Sequence, residues 1–185
     1  MSRWLIGILV VVLVLGFWLV GIYNGLVGKD QNVKQSWAQV ESQLQRRYDL
    51  IPNLVETVRG YAKHEKEIFE NVATARSAWA GAKTSGDKVK AANQMEGFLG
   101  RLIAVAENYP QLRASENFRA LQDELAGTEN RVAVARMRYN DSVQEYNTTA
   151  RSVPTVIFAP LFGFDREKTF FEADKGAKEA PKVKF

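Results

Sequence analysis

Cysteine is absent from this 185-residue chain, and histidine occurs once, at His64. Without a thiol there is no disulfide framework, thiol nucleophile or thiolate zinc site, and one histidine cannot serve a site that needs two from one chain. The lack of cysteine assigns no compartment, since it suits an oxidising or a reducing one. No stretch alternates apolar and polar residues with β-branched enrichment, so no sheet is predicted. Nor does any stretch concentrate Lys and Arg. The formal net charge of +4 is a small excess on a well-mixed surface, which argues against nucleic acid as a partner. Charge is missing altogether from one region: between Arg3 and Lys29 lie 25 consecutive uncharged residues.

That region is the first positive signal. Trp4 to Tyr23 makes about 29 Å of helix at ~1.5 Å per residue, close to a hydrocarbon core of roughly 30 Å. Trp4 stands at one end and Trp18 and Tyr23 near the other, where an interfacial aromatic belt belongs. The run exceeds a signal-peptide core of about 7–15 residues and no A-x-A-like site follows, so residues 1–28 read as a retained membrane anchor. Lys29, Lys34, Arg46 and Arg47 against Arg3 favour a cytoplasmic C-terminal domain, with an extracytoplasmic one left open. Gly21 and Gly25 form a GxxxG at the end of the span, a spacing that lets helix backbones approach closely.

From residue 31 the apolar spacing is helical almost throughout. Val33, Trp37, Val40 and Leu44 form one stripe, which Pro52 is expected to interrupt by removing a donor and disfavouring helix at Ile51. Further stripes run over 54–61, 68–79 (ended by a turn at Lys83–Asp87) and 92–109 (stopped at Pro110). The longest runs from about Ser115 to Ala150 and must be supported along its length by other helices. The fold expected is all-α: a single transmembrane helix followed by an elongated antiparallel bundle with long helices over residues 29–152. An apolar post-helical segment (153–172) and a Lys-rich tail (173–185) complete the chain.

Two stripe positions are polar. Arg47 shares a face with Trp37 and Leu44; its methylenes can cover apolar surface while the guanidinium reaches solvent, or it can pair with Glu124 or Glu129 on the long helix. Tyr139-Asn140 and Tyr146-Asn147 repeat at one heptad, either as a core stripe with polar edges or as a binding site. Beyond Ala150, Val156, Ile157, Phe158, Leu161, Phe162 and Phe164 place six large apolar side chains within nine residues broken by proline. Left wet they are a liability. On the premise that the bundle spends its helical faces on its own stripes, a neighbouring subunit is the expected acceptor, with the membrane surface as competitor.

The sequence carries few residues arranged for chemistry. His64-Glu65 lacks the second histidine of HExxH, and phosphate-loop, dinucleotide and nucleophile-elbow motifs are absent. Glu65, Glu67 and Glu70 read as a solvated helix face rather than a cation site. No catalytic residue, metal or cofactor is predicted.

The chain does resemble the bacterial LemA family. The likeness covers nearly all of it: Tyr23-Asn24 after the anchor, Trp37, and Gln43-Leu-Gln-Arg46-Arg47-Tyr-Asp49-Leu-Ile-Pro52-Asn53-Leu-Val-Glu-Thr-Val58. It continues through Ala104-Val-Ala-Glu-Asn-Tyr-Pro110, Thr128-Glu129-Asn130, Tyr139-Asn-Asp-Ser-Val-Gln-Glu-Tyr-Asn147 and Phe170-Phe171-Glu172. Val153-Pro154 stands where the family typically has Phe-Pro. The resemblance implies a membrane-anchored helical protein without an established catalytic residue, in the bacterial cytoplasmic membrane.

Three functions follow in order of preference. The first is a non-catalytic scaffold in the lipid bilayer that self-associates as a homo-oligomer and organises membrane or soluble protein partners. The second is a signalling or adaptor component, weakened because only three residues precede the span and no nucleotide motif is present. The third is a hydrolase using carboxylates such as Asp49 and Glu56, for which no completed site is apparent.

Overall fold

The computed structural model describes residues 3–62 and 64–171. Glu172 and the tail from Ala173 lie outside the described residues. Among those described, every regular element is helical: α1 Arg3–Tyr61, α2 Lys66–Gly81, α3 Ser85–Ala106, α4 Pro110–Ala114, α5 Glu116–Arg151 and α6 Thr155–Phe158, followed by a 3-10 turn over Pro160–Phe162. The chain divides into two compact units. One comprises residues 3–37 and 138–170, the other 38–137 with Phe171.

In the first unit the anchor segment of α1 is long and apolar enough to cross a membrane, and its most apolar window buries nothing. Trp4 is 83% exposed. A Cβ placed on Gly21 or Gly25 would meet nothing within 4 Å, so the GxxxG face is open. Farther along, α1 and α5 run antiparallel: Lys29 Nζ reaches Glu145 Oε2 at 2.5 Å, while Trp37 sets its ring edge-on to Tyr139 at 5.4 Å. Leu26 and Val33 from α1 and Val143, Tyr146 and Ala150 from α5 are buried here.

In the second unit α1 passes through Pro52 without ending, which corrects the expected break within residues 46–55. Proline leaves the Tyr48 carbonyl without its helical donor and crowds it, at a cost of about 3 kcal/mol. Against that stands one deeply buried face. Tyr48, Ile51, Leu54 and Val58, at steps of three, three and four, are all 3% exposed or less. Each such side chain contributes roughly 1.5–3 kcal/mol, so tertiary burial carries the helix across the proline. Tyr48 stacks on Trp79 at 4.6 Å.

The helix α2 buries Phe69, Val72, Ala75 and Trp79 and packs against α3, which buries Ala92, Met95, Leu99 and Leu102. The turn expected over residues 83–87 is shorter, because Thr84 caps α3: its hydroxyl accepts from the Asp87 amide at 3.1 Å and donates to the Asp87 carboxylate at 2.7 Å. Such a cap satisfies one of the first-turn donors and lets the helix start at Ser85, inside the expected turn. Pro110, where a stripe was expected to stop, occupies the first turn of α4, a position that needs no donor. In this unit α5 buries Phe118, Leu125, Thr128, Val132 and Ala135.

Replacing Pro52 with Ala restores the missing donor and removes the ring crowding, while giving back some unfolded-state entropy. Pro52→Ala is expected to stabilise by about 1–2 kcal/mol, read as a higher thermal midpoint of helicity in detergent. A lower midpoint would show that the proline is itself required there.

Candidate functional site

The foot of the anchor holds the most densely bonded polar group of the first unit. Leu26, Asp30 and Val33 follow one another at steps of four and three, so the helical period that buries the two apolar residues also carries a carboxylate inward. The Asp30 side chain is 10% exposed. Its oxygens meet Lys34 Nζ at 2.8 Å and Lys168 Nζ at 3.1 Å. Lys168 also donates to Asp165 Oδ2 at 2.7 Å and lies 5.3 Å over the Tyr146 ring. Burial by itself raises the Asp30 carboxyl, yet the hydrogen bonds and charges of Lys34 and Lys168 outweigh it and hold the group below its ordinary value. Burial likewise lowers Lys168, and its bonds to Asp165 and Asp30 overcome that and raise it.

The Tyr-Asn repeat completes this arrangement. Tyr146 Oη donates to the Asp165 carbonyl at 2.7 Å and Tyr139 Oη to the Thr169 carbonyl at 3.0 Å. Asn147 makes a reciprocal pair with the backbone of Lys168: its Nδ2 donates to the carbonyl at 2.9 Å and its Oδ1 accepts from the amide at 2.7 Å. Residues 165–169 have no regular structure, so these side chains satisfy backbone groups that would otherwise need a helix or water. Burial raises both tyrosine hydroxyls above their ordinary value, which keeps them protonated donors. Asn140 is half-buried beside them.

Between α5 and this clamp the post-helical segment folds onto the anchor. Phe158 lies edge-on to Trp18 at 6.3 Å, and Tyr23 receives Phe162 at 5.4 Å and Phe164 at 5.8 Å. Gly163, at φ 80°, supplies the left-handed turn that brings Phe164 back. The anchor takes up three of the six residues; Val156 is half-buried, and Ile157 and Leu161 remain exposed.

In the second unit Arg46 Nη2 bonds Glu124 Oε1 at 2.9 Å. Arg47 is the buried one, with its side chain 11% exposed, but Glu129 Oε2 stands off at 3.9 Å and is itself 60% exposed. This is a loose ion pair rather than a bidentate bond. Arg47 Nε, Tyr48 Oη, Gln43 Oε1 and Arg136 Nε are buried without a hydrogen-bond partner among the described residues. Arg136 reaches Glu96 at 3.5 Å and lies 4.3 Å over the Phe171 ring. Burial drives the Tyr48 hydroxyl far above its ordinary value.

The other motif residues are peripheral. Asn53 and Asn130 are exposed, and Asp49 is an exposed acceptor for Gln45 at 2.9 Å. Glu56 lines a cleft of about 650 Å³ with Arg59, Lys66 and Glu70. Asp49 is not among the residues lining it, so the two carboxylates considered for hydrolysis are not brought together. Among the described residues no group of three or more His, Asp or Glu converges as a metal site would require. Asp30, Asp165 and Lys168 escaped the reading of the sequence. A carboxylate on an apolar stripe was the available signal for Asp30, but nothing local pairs it with a lysine 138 positions away.

Residues 36–185 match the model of the LemA family. Magnetosome protein MamQ of Magnetospirillum gryphiswaldense is 26% identical over 180 residues, covering 83% of this chain and 66% of the relative. Magnetosome protein MamQ 2 of Paramagnetospirillum magneticum is 27% identical with the same coverage. The chain thus spans slightly less than two thirds of the length of these relatives.

Asn147→Ala removes both bonds to Lys168 and is expected to cost about 2 kcal/mol, speeding exchange of the Lys168 amide roughly thirtyfold. The clamp also has a defined pH range. The contribution of Asp30 is fully present above its ordinary value of 3.8 and is lost as pH falls through its lower folded value. That of Lys168 is fully present below 10.5 and is lost as pH rises through its raised folded value. Once corrected for intrinsic rates, Lys168 amide protection should be flat between these limits and fall outside them. A step near neutrality would contradict the assignment.

Proposed function

The chain belongs to the LemA family, and on that premise we propose that it is a membrane-anchored, non-enzymatic scaffold that self-associates and organises membrane or partner proteins. The observation that carries this reading is where the buried polar groups of the first unit are used. Asp30, Lys168, Tyr139, Tyr146 and Asn147 all hold the chain's own backbone or each other. They form a structural fastening.

The unburied anchor supplies the attachment, since a span of this length inserts in effect irreversibly. Its open Gly21–Gly25 face offers a place where a second anchor can approach. The relatives carry the magnetosome in their names, which fits a role in an assembly at a membrane better than one in soluble metabolism. In orientation, the Lys and Arg balance favours a cytoplasmic body.

Alkaline carbonate washing should leave the protein in the membrane fraction, and mass photometry of the detergent-solubilised chain should give a multiple of the monomer mass. Release by carbonate would refute the anchor. A uniformly monomeric mass would refute self-association.

A further inference from the structure

We propose that residues 153–164 form a membrane-embedded segment that lies in the interfacial layer beside the anchor, with Ile157 and Leu161 in contact with lipid. This rests on the anchor reading above and adds a second site of membrane contact. Depth is set by the aromatic contacts. Phe158 packs against Trp18, which lies five residues, or about 7.5 Å, inward of Tyr23 along the anchor helix. Phe162 and Phe164 pack against Tyr23 itself. If the anchor spans the bilayer, the segment must sit at the level of the rings it touches. That depth matches the roughly 5–10 Å to which interfacial elements enter a membrane.

Composition and backbone agree with this placement. No charged residue occurs between Arg151 and Asp165, so charge stops and resumes where the segment leaves and rejoins the polar clamp. A backbone entering that layer has to satisfy its own polar groups. Here the amides of Val156, Ile157, Ala159, Phe162, Gly163 and Phe164 all donate to carbonyls between Ser152 and Pro160. Pro154 and Pro160 have no amide hydrogen to satisfy. What remains outward is apolar: Ile157 is 61% exposed and Leu161 74%. These side chains continue the lipid-facing surface of the anchor, so lipid is the occupant that meets both.

Because the chain lacks cysteine, single substitutions Ile157→Cys, Leu161→Cys and, as a reference on the anchor, Val12→Cys can each carry a nitroxide. The full-length protein in phosphatidylcholine–phosphatidylglycerol vesicles is then probed by collision with oxygen, which partitions into lipid, and with a neutral nickel chelate, which stays in water. Labels at 157 and 161 should collide more with oxygen than with nickel, as the label at 12 does. A preference for nickel at 157 and 161 while 12 stays oxygen-accessible would overturn the embedding and spare the anchor. Protection from both reagents at 157 and 161 would put protein there instead, such as a second copy, and would equally overturn it. Nickel access at Val12 would mean that the anchor reading itself had failed.

Discussion

A carboxylate carried into a buried helix face must find compensating charge, because an isolated buried ion costs several kcal/mol. Asp30 sits in that position by register, between buried Leu26 and Val33. One partner is local, Lys34, one turn ahead. The other is Lys168, from the far end of the chain. Solving the local electrostatic problem of Asp30 therefore fixes where the chain must return after α5. Asp165 and the Tyr146 ring then hold the lysine from its other sides.

The rest of the first unit follows from that return. A segment pinned at residues 165–169 by Tyr139, Tyr146 and Asn147, and leaving α5 at Arg151, has 13 uncharged residues with which to make its excursion. It makes it along the anchor, where Trp18 and Tyr23 offer ring faces to Phe158, Phe162 and Phe164. Aromatic pairs of this kind contribute about 0.5–1.5 kcal/mol each beyond their burial. Polar clamp and aromatic contacts thus act on one short apolar stretch, the clamp just past its C-terminal end and the rings from Phe158 onward. Function, in this reading, is the presentation of that stretch and of the anchor at a membrane.

Periodicity made the helical elements legible: the stripes of α2, α3 and α5 could be read directly from steps of three and four. It failed at Pro52, where a local rule met a stronger tertiary one, with Ile51 and Leu54 burying on either side of the ring. At Thr84 it failed in the opposite sense, since a turn-like string supplied a cap. The aromatic belt and the Tyr-Asn repeat drew attention as residues, but their partners did not. Tyr146 could be seen to need an acceptor, yet a carbonyl 19 positions later in a segment without period leaves no trace in the sequence. Asp30 to Lys168 is the same problem at longer range. Residue type announces that a polar group needs a partner, and only the fold tells which one.

The central claim is that the Asp30–Lys168 pair fastens the return of the chain to the foot of the anchor. A double-mutant cycle of Asp30→Asn and Lys168→Met, read as the opening free energy of residues 165–169 by hydrogen exchange in detergent, tests it most directly. Each single change leaves the surviving charge with one partner in place of two, Lys34 for Asp30 and Asp165 for Lys168, so the two single costs should sum to more than the cost of the double change. The coupling should be on the order of 1–3 kcal/mol. Costs that simply add, to within about 0.5 kcal/mol, would show that the two residues are neighbours without being the fastening.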